Sequence, residues 1–155
     1  MREALFDCAK KRREKILTAL GKALAARPEV TFAYAYGSFL EDRPFHDIDV
    51  GVYVATADER KASSLALDLA IALEADLARQ SEAEEESGES YRFPVDVRVL
   101  NGAPVSFGYH VLRGRLLFCR DEAIRVQWAE RILARYLDLK PLRHRALKEA
   151  MTSWR

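Results

Sequence analysis

The 155-residue sequence has only two cysteines and no run of eighteen apolar residues. Cys8 and Cys119 lie far apart, outside any Cys-x-x-Cys motif and with no histidine at metal-ligand spacing. A disulfide framework and a zinc site are therefore excluded, and we expect two reduced, small core residues. A membrane-spanning helix needs about 20 consecutive apolar residues, so none is expected. The charged N-terminus is unlike a signal peptide, and we expect a cytoplasmic protein.

The chain also lacks a large excess of one charge, since 25 basic and 24 acidic residues leave a formal net charge of +1. A general polyanion binder is thereby disfavoured, and no direct nucleic-acid binding is expected. The charges are unevenly placed, with ten acidic and three basic residues over 58–90 and eleven basic and five acidic residues over 113–155. Solvated helix faces and a docking surface both explain this asymmetry.

The residues that point to chemistry are concentrated in the stretch 34–54. This stretch predicts a strand, a turn at Gly37 and Ser38, a short exposed connection, and a second strand that begins at Asp47 and Asp49. Side chains alternate across a strand, so the two carboxylates share one face, about 7 Å apart. Like charges so placed favour a hard cation such as Mg²⁺ between them. A pair of aspartates at a solvated strand start is the alternative.

The residues around the turn favour phosphate binding. A glycine at a strand end lets the backbone approach a ligand, and the following serine offers an N–H group and a hydroxyl to phosphate oxygens. The strand before the turn has a face of small residues suited to close helix packing and a face of aromatic residues, Phe32, Tyr34 and Tyr36. A Gly-Ser turn beside paired carboxylates is the arrangement that phosphoryl or nucleotidyl transfer needs.

A third carboxylate, Asp96, lies in a predicted strand over residues 93–100. Three valines alternate there with Asp96 and Arg98, so period-2 logic places these two charged residues together on the polar face. Arg98 is expected to pair with the carboxylates or with phosphate. A surface aspartate on an edge strand is the alternative for Asp96.

Gly37-Ser38, Asp47-Ile48-Asp49 and the later Asp96 together resemble the DNA polymerase β-type nucleotidyltransferase superfamily. Within it, the size of the chain and the segments 99–104, 115–118 and 136–141 resemble the minimal nucleotidyltransferase (MNT, MntA-like) antitoxins, which pair with HEPN-domain toxins. Two departures stand out, because the connection 39–46 is shorter than in these relatives and Phe39 stands where an arginine often follows the serine. Arg43 is the candidate to replace that arginine in nucleotide binding.

The resemblance implies a site and a reaction. It places the Asp96 strand beside that of Asp47 and Asp49, so that three catalytic carboxylates hold two Mg²⁺ ions about 3.5–4 Å apart. Gly37, Ser38 and Arg43 would bind the nucleotide. The implied activity is transfer of AMP from ATP to a tyrosine hydroxyl of a cognate HEPN ribonuclease toxin, in a hetero-oligomer with that toxin. Two alternatives stay open: a small-molecule, aminoglycoside-type nucleotidyltransferase, and a non-catalytic antitoxin that neutralises its partner by binding.

The rest of the chain predicts one domain spanning residues 1–155, an α/β (α+β) fold with a small mixed sheet flanked by helices. We expect a helix over 3–26 with Leu5 in its buried stripe, and a long helix capped by Asp58 with Ile71 buried.

A mobile acidic loop is expected over 81–90. A short helix over 105–112 and a strand over 115–120 follow. A last helix capped by Asp121 should be kinked or ended by Pro141, before a basic helical tail over 141–155; its expected buried stripe is Ile124, Trp128, Ile132, Leu133, Tyr136 and Leu137.

Overall fold

The computed structural model describes residues 4–83 and 92–153. Within these ranges the chain forms four helices, four strands and a short 3-10 turn. In chain order they are α1 (Lys10–Ala25), β1 (Val30–Tyr36), the 3-10 turn (Ser38–Leu40), β2 (Ile48–Val54), α2 (Glu59–Ala83), β3 (Val95–Val99), α3 (Val105–Leu112), β4 (Arg115–Cys119) and α4 (Glu122–Thr152). None of the described helices is long and apolar enough to cross a membrane.

The four strands form one mixed sheet in the order β3-β2-β1-β4. β1 pairs antiparallel with β2 and with β4, whereas β2 and β3 are parallel. Parallel neighbours need a crossover connection, and α2 provides it. The expected α+β fold with a small mixed sheet flanked by helices is confirmed.

Helices cover both faces of the sheet, which is why all seven residues of β1 are buried. The small side chains Ala33 and Ala35 pack with residues of α1 and α2 in one hydrophobic cluster. The aromatic side chains of Phe32, Tyr34 and Tyr36 pack with α3 and α4 in a second cluster. The predicted division of β1 into a small face and an aromatic face is therefore confirmed.

The N-terminal segment differs from the prediction of a helix over 3–26. α1 begins only at Lys10, and Leu5 is 61% exposed rather than part of a buried stripe. The backbone of Phe6 instead pairs with Phe45, with N–H to carbonyl distances of 2.8 and 2.9 Å in the two directions. Because this bridge uses the N–H and the carbonyl of Phe6, the segment cannot also make helical hydrogen bonds.

α2 is capped as predicted, with the Asp58 carboxylate accepting hydrogen bonds from the backbone of Arg60 and Lys61 at 3.0 and 3.2 Å. Ile71, however, is 61% exposed. It lies about 200° around the helix from the buried Leu69, so it faces solvent. α2 also continues to Ala83, which makes residues 81–83 of the predicted acidic loop helical. The other residues of that loop, 84–90, lie outside the described residues.

α4 is capped by Asp121, whose carboxylate accepts from the backbone of Ile124 at 3.1 Å. Trp128 and Ile132 are buried as predicted, but the predicted burial of three other residues is wrong, because these are exposed: Ile124, Leu133 and Leu137. α4 also runs through Pro141 to Thr152 instead of ending there. This part of the helix is fully exposed, so water can bind the carbonyl group that the proline leaves without its N–H partner.

Candidate active site

Three carboxylates lie together where β2 and β3 begin. The parallel register pairs Asp49 with Asp96, and Asp47 lies two residues before Asp49. One carboxylate oxygen from each residue lies within 4.8 Å of those of the other two, and all three residues are partly buried. The convergence implied by the family resemblance is therefore present in the structure.

Gly37 closes the same end of the sheet, because β1 runs antiparallel to β2 and ends beside the start of β2. Its φ of 81° is a conformation that favours glycine. A Cβ atom there would lie 2.4 Å from a carboxylate oxygen of Asp49, so no other residue fits without displacing that carboxylate. Ser38 follows at once as the first residue of the 3-10 turn. The Gly-Ser turn thus lies directly against the carboxylate cluster.

The surroundings of the Asp49 carboxylate disfavour its ionised form. Burial, and then the neighbouring charges of Asp47 and Asp96, raise the pKa of Asp49 to about 6. Arg98 opposes this shift but is directed mainly to Asp96, to which its Nε donates at 3.0 Å. The predicted pairing of Arg98 with the cluster is confirmed. One guanidinium does not offset three carboxylates, so a bound cation would stabilise the cluster.

Two side chains of the connection 39–46, Arg43 and His46, form contacts away from the carboxylate cluster. The guanidinium of Arg43 forms an ion pair with Glu41, and the Arg43 side chain is 62% exposed. Nδ1 of His46 donates to the carbonyl group of Ala4 at 3.0 Å, which joins this residue to the N-terminal segment. A role for Arg43 in nucleotide binding remains a prediction.

Arg13 holds this connection in place, and the sequence interpretation missed it. The side chain is buried, and its guanidinium donates to the carbonyl groups of Phe39, Glu41 and Arg43 at 2.7–2.8 Å. It also donates to the carbonyl of Cys8 at 2.8 Å and lies over the rings of Phe39 and Phe45. A single buried cation thus satisfies backbone groups along the segment that joins the Gly-Ser turn to Asp47 and Asp49.

A signal for Arg13 is present in the sequence. It lies three and four residues before Ile16 and Leu17, which begin the buried stripe of α1. A charged side chain at such a position is buried only where hydrogen-bond partners are supplied. A basic residue at a stripe position therefore indicates an internal hydrogen-bonding role.

The chemistry of this donor set fits a hard divalent cation. Oxygen ligands suit Mg²⁺, and two such ions held by shared carboxylates stabilise the charge that develops in a phosphoryl displacement. The turn at Gly37 and Ser38 lies where phosphate groups of a nucleotide could contact backbone N–H groups. Fold and site together fit the class of phosphoryl- or nucleotidyl-transfer enzymes.

A sequence comparison identifies the family. Residues 18–123, more than half of the chain, match the family described as Polymerase beta, Nucleotidyltransferase. The chain belongs to this family and is a nucleotidyltransferase. The matched range includes the turn at Gly37 and Ser38 and all three clustered carboxylates. Comparison with curated proteins gave no match.

Solved structures with the same fold include chains of toxin–antitoxin complexes. One such chain belongs to the complex of the tri-AMPylated HEPN toxin of Shewanella oneidensis with MNT antitoxin, with a TM-score of 0.58, 22% identity, and 90% of this chain and 98% of that chain covered. The MntA–HepT toxin–antitoxin gives a TM-score of 0.57 at 22% identity, covering 89% and 98%. A toxin–antitoxin with AMP-PNP gives 0.58 at 23% identity, covering 90% and 98%. At this level of identity the likeness establishes the fold.

Asp49→Asn is expected to stabilise the metal-free protein near pH 7, because the variant removes a charge that burial and two carboxylates oppose. The pKa of Asp49 is about 6 in the folded protein and about 4 in an unfolded chain. The folded state therefore keeps a proton that the unfolded state loses over this interval, and wild-type stability falls as pH rises from about 4 to about 6. The advantage of the variant should vanish below about pH 4.

Urea denaturation in the presence of a chelator, at several pH values, measures this difference. Asp138→Asn, on an exposed part of α4, is the control for loss of one negative charge. Added Mg²⁺ should then stabilise the wild type more than Asp49→Asn. If Asp49→Asn were less stable than the wild type near pH 7 without metal, the repulsion argument would be wrong.

Arg13→Gln is expected to lower the free energy of unfolding by about 2–4 kcal/mol, because several carbonyl groups lose a charged donor. Lys11→Gln, on the exposed side of the same helix, is the matched control and should change it by less than about 0.5 kcal/mol. Urea denaturation of the two variants checks this difference. Equal stability of both variants would show that the connection does not depend on Arg13.

Proposed function

We propose that this nucleotidyltransferase is a Mg²⁺-dependent antitoxin that transfers AMP from ATP to a tyrosine hydroxyl of a cognate HEPN ribonuclease toxin. The observation that carries the proposal is the contact of the Gly37–Ser38 turn with the cluster of Asp47, Asp49 and Asp96. The fold adds support, since chains of similar fold occur with an AMPylated HEPN toxin and with an ATP analogue.

In this mechanism Asp47 and Asp49 would hold the ion bound to the triphosphate, and Asp96 would complete the ligand set for a second ion. The ions, when bound, would neutralise phosphate charge and lower the pKa of the acceptor hydroxyl. The acceptor oxygen attacks the α-phosphorus, the bond from this phosphorus to the oxygen that bridges to the β-phosphorus breaks, and pyrophosphate leaves. The hydroxyl proton passes to solvent. Backbone N–H groups of Gly37 and Ser38 orient the β- and γ-phosphates.

Arg43 is the proposed cationic partner of the triphosphate. Its guanidinium pairs with Glu41 in the free protein, and both side chains are more than half exposed. An exposed ion pair contributes at most about 1 kcal/mol, so a triphosphate can displace Glu41 at small cost.

The proposed docking surface for the toxin is the exposed C-terminal part of α4, residues 141–153. Every residue of this part is exposed, including the apolar Leu142, Leu147 and Met151 at 56%, 66% and 72%. Arginine and lysine outnumber acidic residues here. Apolar side chains set among positive charges fit a partner surface that is apolar with an acidic rim. The neighbouring Trp154 lies outside the described residues.

Substoichiometric amounts of the protein, with ATP and Mg²⁺, are expected to inactivate a HEPN ribonuclease partner. Each transfer should add roughly 329 Da to the partner, the mass of AMP attached with loss of pyrophosphate. Intact-mass spectrometry and a ribonuclease assay measure the two effects, and peptide mapping identifies the modified residue. Asp47→Asn, which removes a ligand charge at nearly constant volume, should abolish both effects.

A non-catalytic antitoxin would give a different result. It would neutralise the partner only at one-to-one ratios, without nucleotide, without a change in mass, and equally well as Asp47→Asn. That outcome would refute the catalytic proposal. Transfer of AMP to the hydroxyl group of a small molecule, with none to the HEPN protein, would instead favour the aminoglycoside-type reaction.

Truncation after Lys140 is expected to weaken binding of the HEPN partner at least tenfold while leaving the affinity for Mg²⁺·AMP-PNP unchanged. The truncation removes residues 141–155, of which the described ones, 141–153, are exposed, so the melting temperature should also stay nearly unchanged. Isothermal titration calorimetry with each ligand checks the two affinities. Equal partner affinity of the truncated and full-length proteins would exclude this helix as the docking surface.

A further inference from the structure

Two tyrosines on the same face of β1 differ in how their hydroxyl groups are satisfied. Tyr34 and Tyr36 are both buried, at 4% and 5% exposure. The Tyr34 hydroxyl accepts a hydrogen bond from Nη1 of Arg125 at 2.8 Å. The Tyr36 hydroxyl is buried too, yet no described residue forms a hydrogen bond with it. A buried hydroxyl without a partner destabilises a fold, so its presence indicates a partner outside the protein.

The Tyr36 side chain is directed toward the carboxylate cluster. The β1–β2 register pairs Tyr36 with Asp49. Its ring makes edge contacts with Phe107 and His110 of α3, with centroid distances of 5.5 and 5.6 Å. The ring therefore lies between α3 and the start of β2, on the side of the sheet that carries Asp49.

The Tyr36 hydroxyl is a hydrogen-bond donor at neutral pH. Burial, and then the negative charge of Asp49, raise the pKa of Tyr36, and Asp96 and Asp47 add to the shift. Arg98 acts in the opposite direction but does not cancel it. A group that keeps its proton beside three carboxylates can donate to a bound oxygen atom.

The Arg98 side chain lies close enough to the Tyr36 hydroxyl to affect its pKa. Its guanidinium lies 5.8 Å from the centre of the Phe107 ring and is bound to Asp96, while 61% of the side chain is exposed. The phosphate groups of a nucleotide compete with Asp96 for the guanidinium, since both are oxyanions that accept from arginine. An exposed, flexible side chain can follow the phosphate without disturbing the core.

We propose that the Tyr36 hydroxyl donates a hydrogen bond to a phosphate oxygen of a bound nucleoside triphosphate. The inference rests on the proposed function, because it needs a nucleotide in the carboxylate site. A phosphate oxygen is the fitting acceptor for two reasons. Tyr36 directly precedes Gly37 and Ser38, the proposed phosphate-binding turn. The surrounding carboxylates supply acceptors in excess, so an anion bound among them depends on the few donors available.

The test compares Tyr36→Phe with the matched control Tyr34→Phe, each of which removes one hydroxyl from the same face of the same strand. Tyr36→Phe is expected to melt at the wild-type temperature or above, because no internal hydrogen bond is lost. Its affinity for Mg²⁺·AMP-PNP, measured by isothermal titration calorimetry, should fall about tenfold, the loss typical of a hydrogen bond to a charged group. Tyr34→Phe should melt lower, since the hydrogen bond from Arg125 to the Tyr34 hydroxyl is lost, and should bind the analogue as the wild type does.

Each other outcome overturns the inference. Wild-type affinity of Tyr36→Phe for Mg²⁺·AMP-PNP, with the wild type binding normally, would show that the hydroxyl does not touch the nucleotide and would leave the proposed function intact. A lower melting temperature of Tyr36→Phe, matching that of Tyr34→Phe, would show that the hydroxyl has a partner within the protein. Failure of the wild type itself to bind the analogue would remove the proposed function and this inference together.

Discussion

The parallel pairing of β2 with β3 is the constraint on which the site depends. It places Asp96 beside Asp49, and it does so through valines that bury the other face of both strands, as Val50 pairs with Val97. Burial of these side chains is favourable, whereas the assembly of three carboxylates is not. The raised pKa of Asp49 is the visible consequence of a repulsion that the hydrophobic core outweighs. The fold thus holds like charges together before any ligand arrives.

The connection between β1 and β2 shows how a short segment can be rigid without a regular strand or a long helix. Phe39, which stands where relatives often have an arginine, is 1% exposed and packs edge-on against Phe45 at 4.8 Å. It therefore points into the core and cannot contact a nucleotide. Arg13 lies over both rings and donates to the carbonyl groups of the same segment. The buried positive charge of Arg13 thus stabilises the backbone of the connection through its carbonyl groups.

Local patterns in the sequence predicted much of the fold. Alternation identified the two faces of β1 and the polar positions of β3, and the caps at Asp58 and Asp121 were correct because capping depends on a few adjacent residues. Errors arose where none of the described elements covers an apolar residue, as at Leu5, Ile71 and Leu137, all more than 60% exposed. Helical periodicity shows which residues share a face but not whether another element packs on that face.

Some features of the site could likewise be predicted from the sequence, and others could not. The sequence by itself determined that a Gly-Ser turn lies beside two carboxylates. Gly37, Ser38, Asp47 and Asp49 lie close enough along the chain for strand geometry to place them. From the residues alone, without known relatives, it could not be decided that Asp96 completes the cluster; the tertiary structure decided this. It also decided that Arg13 supports the connection and that the hydroxyl of Tyr34, but not that of Tyr36, has a hydrogen-bond partner among the described residues. These features join residues that lie far apart in the chain. Strand neighbours and the partners of buried polar groups depend on how the whole chain packs, and no local pattern records them.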